Sequence, residues 1–214
     1  MINVAYANGA SPVLTLTPFG EDGNFSNYLI NRIVNDVTAQ QNLITQLEQT
    51  VVEKGFQGVD IDFEYILAED RDAFAEFVRK VRSAMNAIGR FVAVALAPKT
   101  SDNQQGSVYE GKDYAQLGEA ADQVLLMTYE WGYTYGPPMA VAPLNQVRRV
   151  VEYALTEIPA QKVNLGIPNY GYDWPLPFER GVSRARNIGN LEAVQIAIDY
   201  GASIQFDETA KSPF

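Results

Sequence analysis

The sequence predicts an α/β fold, a TIM (β/α)8-type barrel present in part, with about five or six strands visible where a closed barrel has eight. Three observations predict it. Short apolar runs alternate with segments of helical periodicity, and that order implies right-handed crossovers and a parallel sheet. Residues able to carry chemistry, at 60–64, 128–130 and 169–174, fall at or just beyond the C-terminal ends of predicted strands. Barrels place their sites there, although open sheets do so too. No glycine-rich phosphate turn follows the first strand, which favours a barrel over an open nucleotide-binding sheet.

Each element has its own signal. Residues 12–17 read as a strand, followed by a loop through Gly20, Asp22, Gly23 and Asn24. In the next helix Leu43, Leu47 and Val51 recur at i+4, Thr38 with Gln41 offers a capping box, and Gly55 supplies the stop. An acidic strand follows at 58–65. Between 69 and 88 the residues Phe74, Phe77, Val78, Val81, Met85 and Ile88 form a continuous helical stripe, closed by Gly89. Runs at 91–97, 124–129 and 163–167 are nearly all apolar, as strands buried on both faces are. A helix over 144–158 lies between the last two. A final helix at 191–200 precedes a weak strand at 203–206, and the polar loop 99–113 is the candidate for flexibility.

Composition excludes several chemistries. With 214 residues and 47% hydrophobic content, the chain is long enough for a substantial core. The absence of histidine removes imidazole-based triads and His-ligated metal centres, and the absence of cysteine removes thiolate nucleophiles and disulfides. Carboxylates and tyrosines are left for proton chemistry. A net charge of −10 without a basic cluster argues against nucleic acid as a partner. No apolar run approaches the ~20 residues of a membrane span, and residues 1–4 lack a basic region leading into an apolar one.

The most informative segment is Gly58-Val59-Asp60-Ile61-Asp62-Phe63-Glu64-Tyr65, with acids at every second position and apolar residues between them. On a strand, same-face side chains are ~6.6 Å apart, so Asp60, Asp62 and Glu64 would form one row. Mutual repulsion and burial should raise at least one pKa and leave a protonated acid beside an ionised one. Two other readings remain: a solvated acidic face, or a Mg²⁺ or Ca²⁺ site, since those ions favour all-oxygen shells.

These residues resemble a known family. Residues 58–64 are similar to the DxxDxDxE signature of glycoside hydrolase family 18, the chitinase-like TIM barrels. Met127-Thr128-Tyr129-Glu130 resembles the family's Met-x-Tyr-Asp strand, and Leu165-Gly166-Ile167-Pro168-Asn169-Tyr170-Gly171 its Gly-x-Pro-x-Tyr-Gly strand. The wording Asp-Phe-Glu-Tyr with Met-Thr-Tyr-Glu-Trp-Gly-Tyr is similar to the spore-cortex-lytic N-acetylglucosaminidases that accompany LysM modules. The first Asp of the signature is replaced by Gln57, which removes a structural acid rather than the proton donor. Against the family pattern the early strands and the last strand are not evident, so residues 1–214 read as a single catalytic domain in fragmentary or shortened form. Uncovered strand edges would then invite self-association.

The resemblance implies hydrolysis of β-linked N-acetylglucosamine glycans, peptidoglycan ahead of chitin, by a retaining, substrate-assisted mechanism. In that scheme Glu64 is the general acid/base, Asp62 orients the substrate acetamido group, Asp60 adjusts the charge on Asp62, and Tyr129 hydrogen-bonds the acetamido oxygen. Glu130, Trp131, Asn169, Tyr170 and Trp174 are the candidate substrate-binding residues. The alternative for Tyr129 is an ordinary buried tyrosine with its hydroxyl satisfied, and the loop aromatics, which include Tyr133, Tyr135 and Tyr172, can equally be packing residues. No cofactor or metal is implied. The alternatives are a catalytically silent carbohydrate-binding domain and a carboxylate–metal enzyme. The resemblance points to the cell envelope, the spore or the extracellular space.

Overall fold

A short helix, α1 (Ile2–Ala7), leads into strand β1 (Val13–Leu16), and then α2 (Asn27–Asn35), α3 (Val37–Lys54), β2 (Gly58–Ile61), α4 (Arg71–Ala87), β3 (Phe91–Leu96), α5 (Tyr114–Ala120), β4 (Gln123–Leu126), α6 (Leu144–Glu157) and β5 (Val163–Leu165) follow. Beyond them lie β6 (Tyr170–Asp173), β7 (Arg186–Gly189), α7 (Asn190–Asp199), β8 (Phe206–Asp207) and β9 (Ser212–Pro213). This computed structural model describes residues 1–214. It divides into two compact units, Met1–Met127 with Tyr153–Asn164, and Thr128–Glu152 with Leu165–Phe214.

The strand order β1-β2-β3-β4-β5 is sequential. The pairings of β1 with β2, β2 with β3 and β3 with β4 are parallel. A doubly wound sheet reverses direction at a switch point, whereas this one never does, as in a barrel wall. The barrel-type α/β architecture expected from the sequence is therefore present, as five adjacent parallel strands.

Register explains the composition of the strands. One face carries Leu16, Ile61, Val94 and Val124 side by side, with Ile61, Val94 and Val124 fully buried. Helix α4 packs on β2 and β3 and buries Phe74, Phe77, Val78, Val81 and Met85 completely. Each such side chain contributes about 1.5–3 kcal/mol. The opposite face carries Thr15, Asp60, Ala93 and Gln123 in register. Continuous apolar runs had implied two equally greasy faces. Instead this face is small and polar, because alanine alternates with valine and leucine in β3.

Helix ends follow local chemistry with one correction. Asp36, not Thr38, caps α3: its side chain accepts from the Thr38 and Ala39 amides at 2.9 and 3.0 Å. An aspartate one residue before the helix satisfies two orphan donors, which leaves Thr38 inside the first turn. Gly55 and Gly89, with φ of +81° and +71°, close α3 and α4 as expected.

In the second unit β6 pairs with β7 as an antiparallel hairpin, α7 packs against it, and β8 and β9 form a two-residue pairing. The hairpin is not anticipated by the sequence. Tyr170-Gly-Tyr-Asp173 reads as loop because glycine and aspartate disfavour strands. The predicted strand at 203–206 shrinks to Phe206–Asp207.

Candidate active site

Strand β2 ends at Ile61, so of the three acids only Asp60 lies within it. Asp62 and Glu64 sit on the chain just beyond, correcting the expectation of one uninterrupted strand. The alternation persists nonetheless. The Asp62 amide still bonds Leu16 O at 3.0 Å, and Phe63, 2% exposed, turns into the core between Phe74 and Phe77 with both ring centroids at 5.7 Å. Anchoring Phe63 on one side leaves Asp62 and Glu64, both half-buried, to project away from that core. The pattern breaks at Tyr65, which sits at φ +56° and is 39% exposed instead of continuing the apolar side. Left-handed backbone at a non-glycine residue is costly, and it sharply redirects the chain after Glu64.

All three carboxyls titrate above their ordinary range. Burial is the main cause in each, and the charge of Asp62 adds to it at Asp60 and Glu64. Asp60 Oδ1 and Asp62 Oδ1 are buried and have no hydrogen-bond partner. A row of acids shifted in this direction keeps its protons to higher pH than free carboxyls do, which is the direction a general acid requires. The carboxylates do not form a group of three able to hold a metal ion.

The sequence gives no warning of a cation here. Lys112 is 1% exposed, donates from Nζ to Ala95 O at 2.7 Å, and lowers the pKa of all three acids. Gly111 makes its placement feasible, since a Cβ there would lie 2.3 Å from Ile66 O. The loop 99–113, expected to be flexible, is pinned. Lys99 Nζ bonds Lys112 O at 2.9 Å, Tyr114 Oη bonds Ala97 O at 2.6 Å, and Arg71 bridges Asp102 and Asp113 at 2.5 and 2.8 Å. Polarity in a sequence reads as solvent exposure, and two buried lysines defeat that reading. Gln57, in the variant signature position, donates to Tyr6 Oη at the end of α1.

The remaining candidates belong to the second unit. Glu130, at φ +66°, accepts from Tyr170 Oη at 2.6 Å and from Tyr172 Oη at 2.8 and 2.9 Å. Both phenols are pushed up, by burial first and then by that carboxylate. Tyr170 and Tyr172 lie on β6 rather than in a loop, and that placement fixes their hydroxyls toward Glu130. Trp174 packs 5.6 Å from Tyr172 and donates from Nε1 to Gly136 O at 2.8 Å. Trp131, half-buried, pairs its amide with Val141 O at 3.1 Å. Tyr129 is half-buried and Asn169 exposed. Nearby, buried Thr128 donates its hydroxyl to Gly166 O at 2.9 Å. Thus Glu130, Tyr170, Tyr172 and Trp174 form one polar–aromatic cluster. Tyr172, not among the predicted binding residues, is central to it.

Comparison with known proteins gives this arrangement a context. The sequence pattern of Glycosyl hydrolases family 18 matches residues 13–214. The chain is 45% identical over 194 residues to the cortical fragment-lytic enzyme of Bacillus subtilis (strain 168), covering 91% of this chain and 45% of that protein. It is 39% identical over 211 residues to the enzyme of the same name from Bacillus anthracis, covering 99% of this chain and 49% of the relative. The chain thus spans about half the length of these relatives. Among solved structures, the Bacillus cereus spore cortex-lytic enzyme SleL superposes with a TM-score of 0.94 at 38% identity, covering 99% of this chain and 48% of that one. A chitinase from Chromobacterium violaceum ATCC 12472 superposes with a TM-score of 0.88 at 25% identity, covering 99% of this chain and 65% of that one.

Proposed function

The chain belongs to Glycosyl hydrolases family 18, and on that premise we propose that it cleaves β-linked N-acetylglucosamine glycans, with spore-cortex peptidoglycan as substrate ahead of chitin. The observation that carries this reading is the half-buried acid row, raised in pKa and ending in Glu64. The preference for peptidoglycan is supported by the names of the relatives, which are cortex-lytic at 39–45% identity.

In the proposed mechanism Glu64 gives its proton to the glycosidic oxygen as that bond breaks. The substrate's own acetamido carbonyl oxygen attacks the anomeric carbon, forming a cyclic oxazolinium. Water then opens the ring, losing a proton to Glu64, and configuration is retained overall. Asp62 orients the acetamido group and faces its developing positive charge. Asp60, coupled to Asp62, sets how much negative charge Asp62 carries. Tyr129 hydrogen-bonds the acetamido oxygen, and Glu130, Trp131, Asn169, Tyr170 and Trp174 bind the glycan. The internal nucleophile supplies proximity, and the acid row supplies electrostatic stabilisation. The spore envelope is the proposed place of action.

The test is incubation of this chain and its Glu64→Gln variant with cortex peptidoglycan and with chitin oligomers, following reducing ends. Hydrolysis by the unmutated chain, lost in Glu64→Gln by a factor of ~10² or more, is the expected result. Full turnover in the variant refutes the assignment of Glu64. Glycan binding without hydrolysis in either protein would favour a carbohydrate-binding module instead.

A further inference from the structure

We propose that Lys112 is a positioning residue for the acid row, a sealed cation that sets how protons are shared among Asp60, Asp62 and Glu64. The inference rests on reading those three as the reacting carboxylates. Its basis is placement. The register of β2 and β3 pairs Asp60 with Ala93 and ends with Ile61 opposite Val94, and Asp62 and Ala95 are the next residue on each chain. Ala95 O is the acceptor that holds the Lys112 ammonium at 2.7 Å. Adjacent strands are ~4.8 Å apart, so the cation is tied to the backbone beside Asp62. The alanines at 93 and 95 leave room on that face for such a side chain.

The neighbouring charges are already matched elsewhere. Lys99, also fully buried, faces Asp102 at 3.6 Å and spends a donor on Lys112 O. Arg71 is held by Asp102 and Asp113. Tyr114, stacked on Tyr153, is committed to Ala97 O. The anions that attract Lys112 are Asp62, Glu64 and Asp60, in that order. The relation is reciprocal: the two aspartates have buried oxygens without hydrogen-bond partners, and Lys112 opposes the rise that burial imposes on each acid. Burial takes the ammonium itself down to about 8. A charge kept where solvent cannot screen it acts on its neighbours far more strongly than a surface lysine would.

The experiment is carbon-detected NMR titration of the Asp60, Asp62 and Glu64 carboxyls in the 214-residue chain and in Lys112→Met. Removal of the cation should move their midpoints to higher pH. In the opposite direction, Asp62→Asn should lower the midpoint of the Lys112 side chain, a measurement that stands even if Lys112→Met fails to fold. Unmoved carboxyl midpoints in a folded Lys112→Met, or a lysine titrating near 10 whether or not Asp62 is ionisable, overturn the proposal. In peptidoglycan hydrolysis, both limbs of the pH–kcat/KM profile should shift to higher pH in Lys112→Met, a change that loosened packing would not produce. Limbs that stay in place reject the catalytic consequence. If the NMR midpoints move and neither protein hydrolyses glycan, the charge coupling stands and the hydrolase reading falls.

Discussion

Replacing Lys112 with methionine should change how the stability of the first unit depends on pH. The side chain titrates at about 8 in the folded chain against 10.5 when free. That gap of about 2.5 units corresponds to roughly 3 kcal/mol at 1.36 kcal/mol per unit. The folded pKa lies below the unfolded one, so between pH 8 and 10.5 the unfolded chain binds more protons and stability rises with pH. Below pH 8 the folded chain bears the full penalty of a buried ammonium. Methionine has similar length and no charge, and it loses the charge-assisted bond to Ala95 O, worth about 1.5–3 kcal/mol. Relative to the unmutated chain, the variant should therefore lose up to roughly 3 kcal/mol of stability as pH rises from 8 to 10.5. Lys99, Tyr114 and Tyr153 also titrate in alkali but are common to both proteins, so the difference reports Lys112 together with the acids it acts on. Urea unfolding at pH 7, 8, 9 and 10 measures it. Far-ultraviolet circular dichroism is the right probe, because both tryptophans, Trp131 and Trp174, lie in the second unit. Parallel stability curves for the two proteins would refute the reasoning.

Two other outcomes test the scaffold around the acids. Phe63→Ala should destabilise the first unit by about 3–5 kcal/mol in urea unfolding, because it empties the space between Phe74 and Phe77 and removes two ring contacts; a cost below 1 kcal/mol would deny Phe63 its anchoring role. Gly111→Ala should cost at least about 2 kcal/mol by the same measurement, since its Cβ would meet Ile66 O at 2.3 Å with only backbone able to yield.

Much of this protein was legible in its sequence. Helix α4 was readable because its stripe has one period and two clear ends, and the acid row because alternation survives past the strand end. The family resemblance drew on the same residues that build the two clusters. Other features escaped because their causes are not local. Nothing near Lys112 in the chain marks it as buried, and its environment comes from strands β2 and β3, some 20 to 50 residues earlier in the sequence. Asp36 is hard to read as the cap because Thr38, two residues on, matches with Gln41 the spacing of a capping box. The hairpin of β6 and β7 was hidden by glycine and aspartate, whose weak strand preference is overridden once Tyr170 and Tyr172 find Glu130.

The sequential order of β1 to β5 bears on how the molecule is made. From β2 to β5, each new strand pairs with the one synthesised just before it. A ribosome delivering ~5–20 residues per second can release such a wall one layer at a time. Along such a route β2 would bring its acids into place beside β1 before Lys112 had left the exit tunnel, so the carboxylates would experience their mutual repulsion first and their counter-ion last.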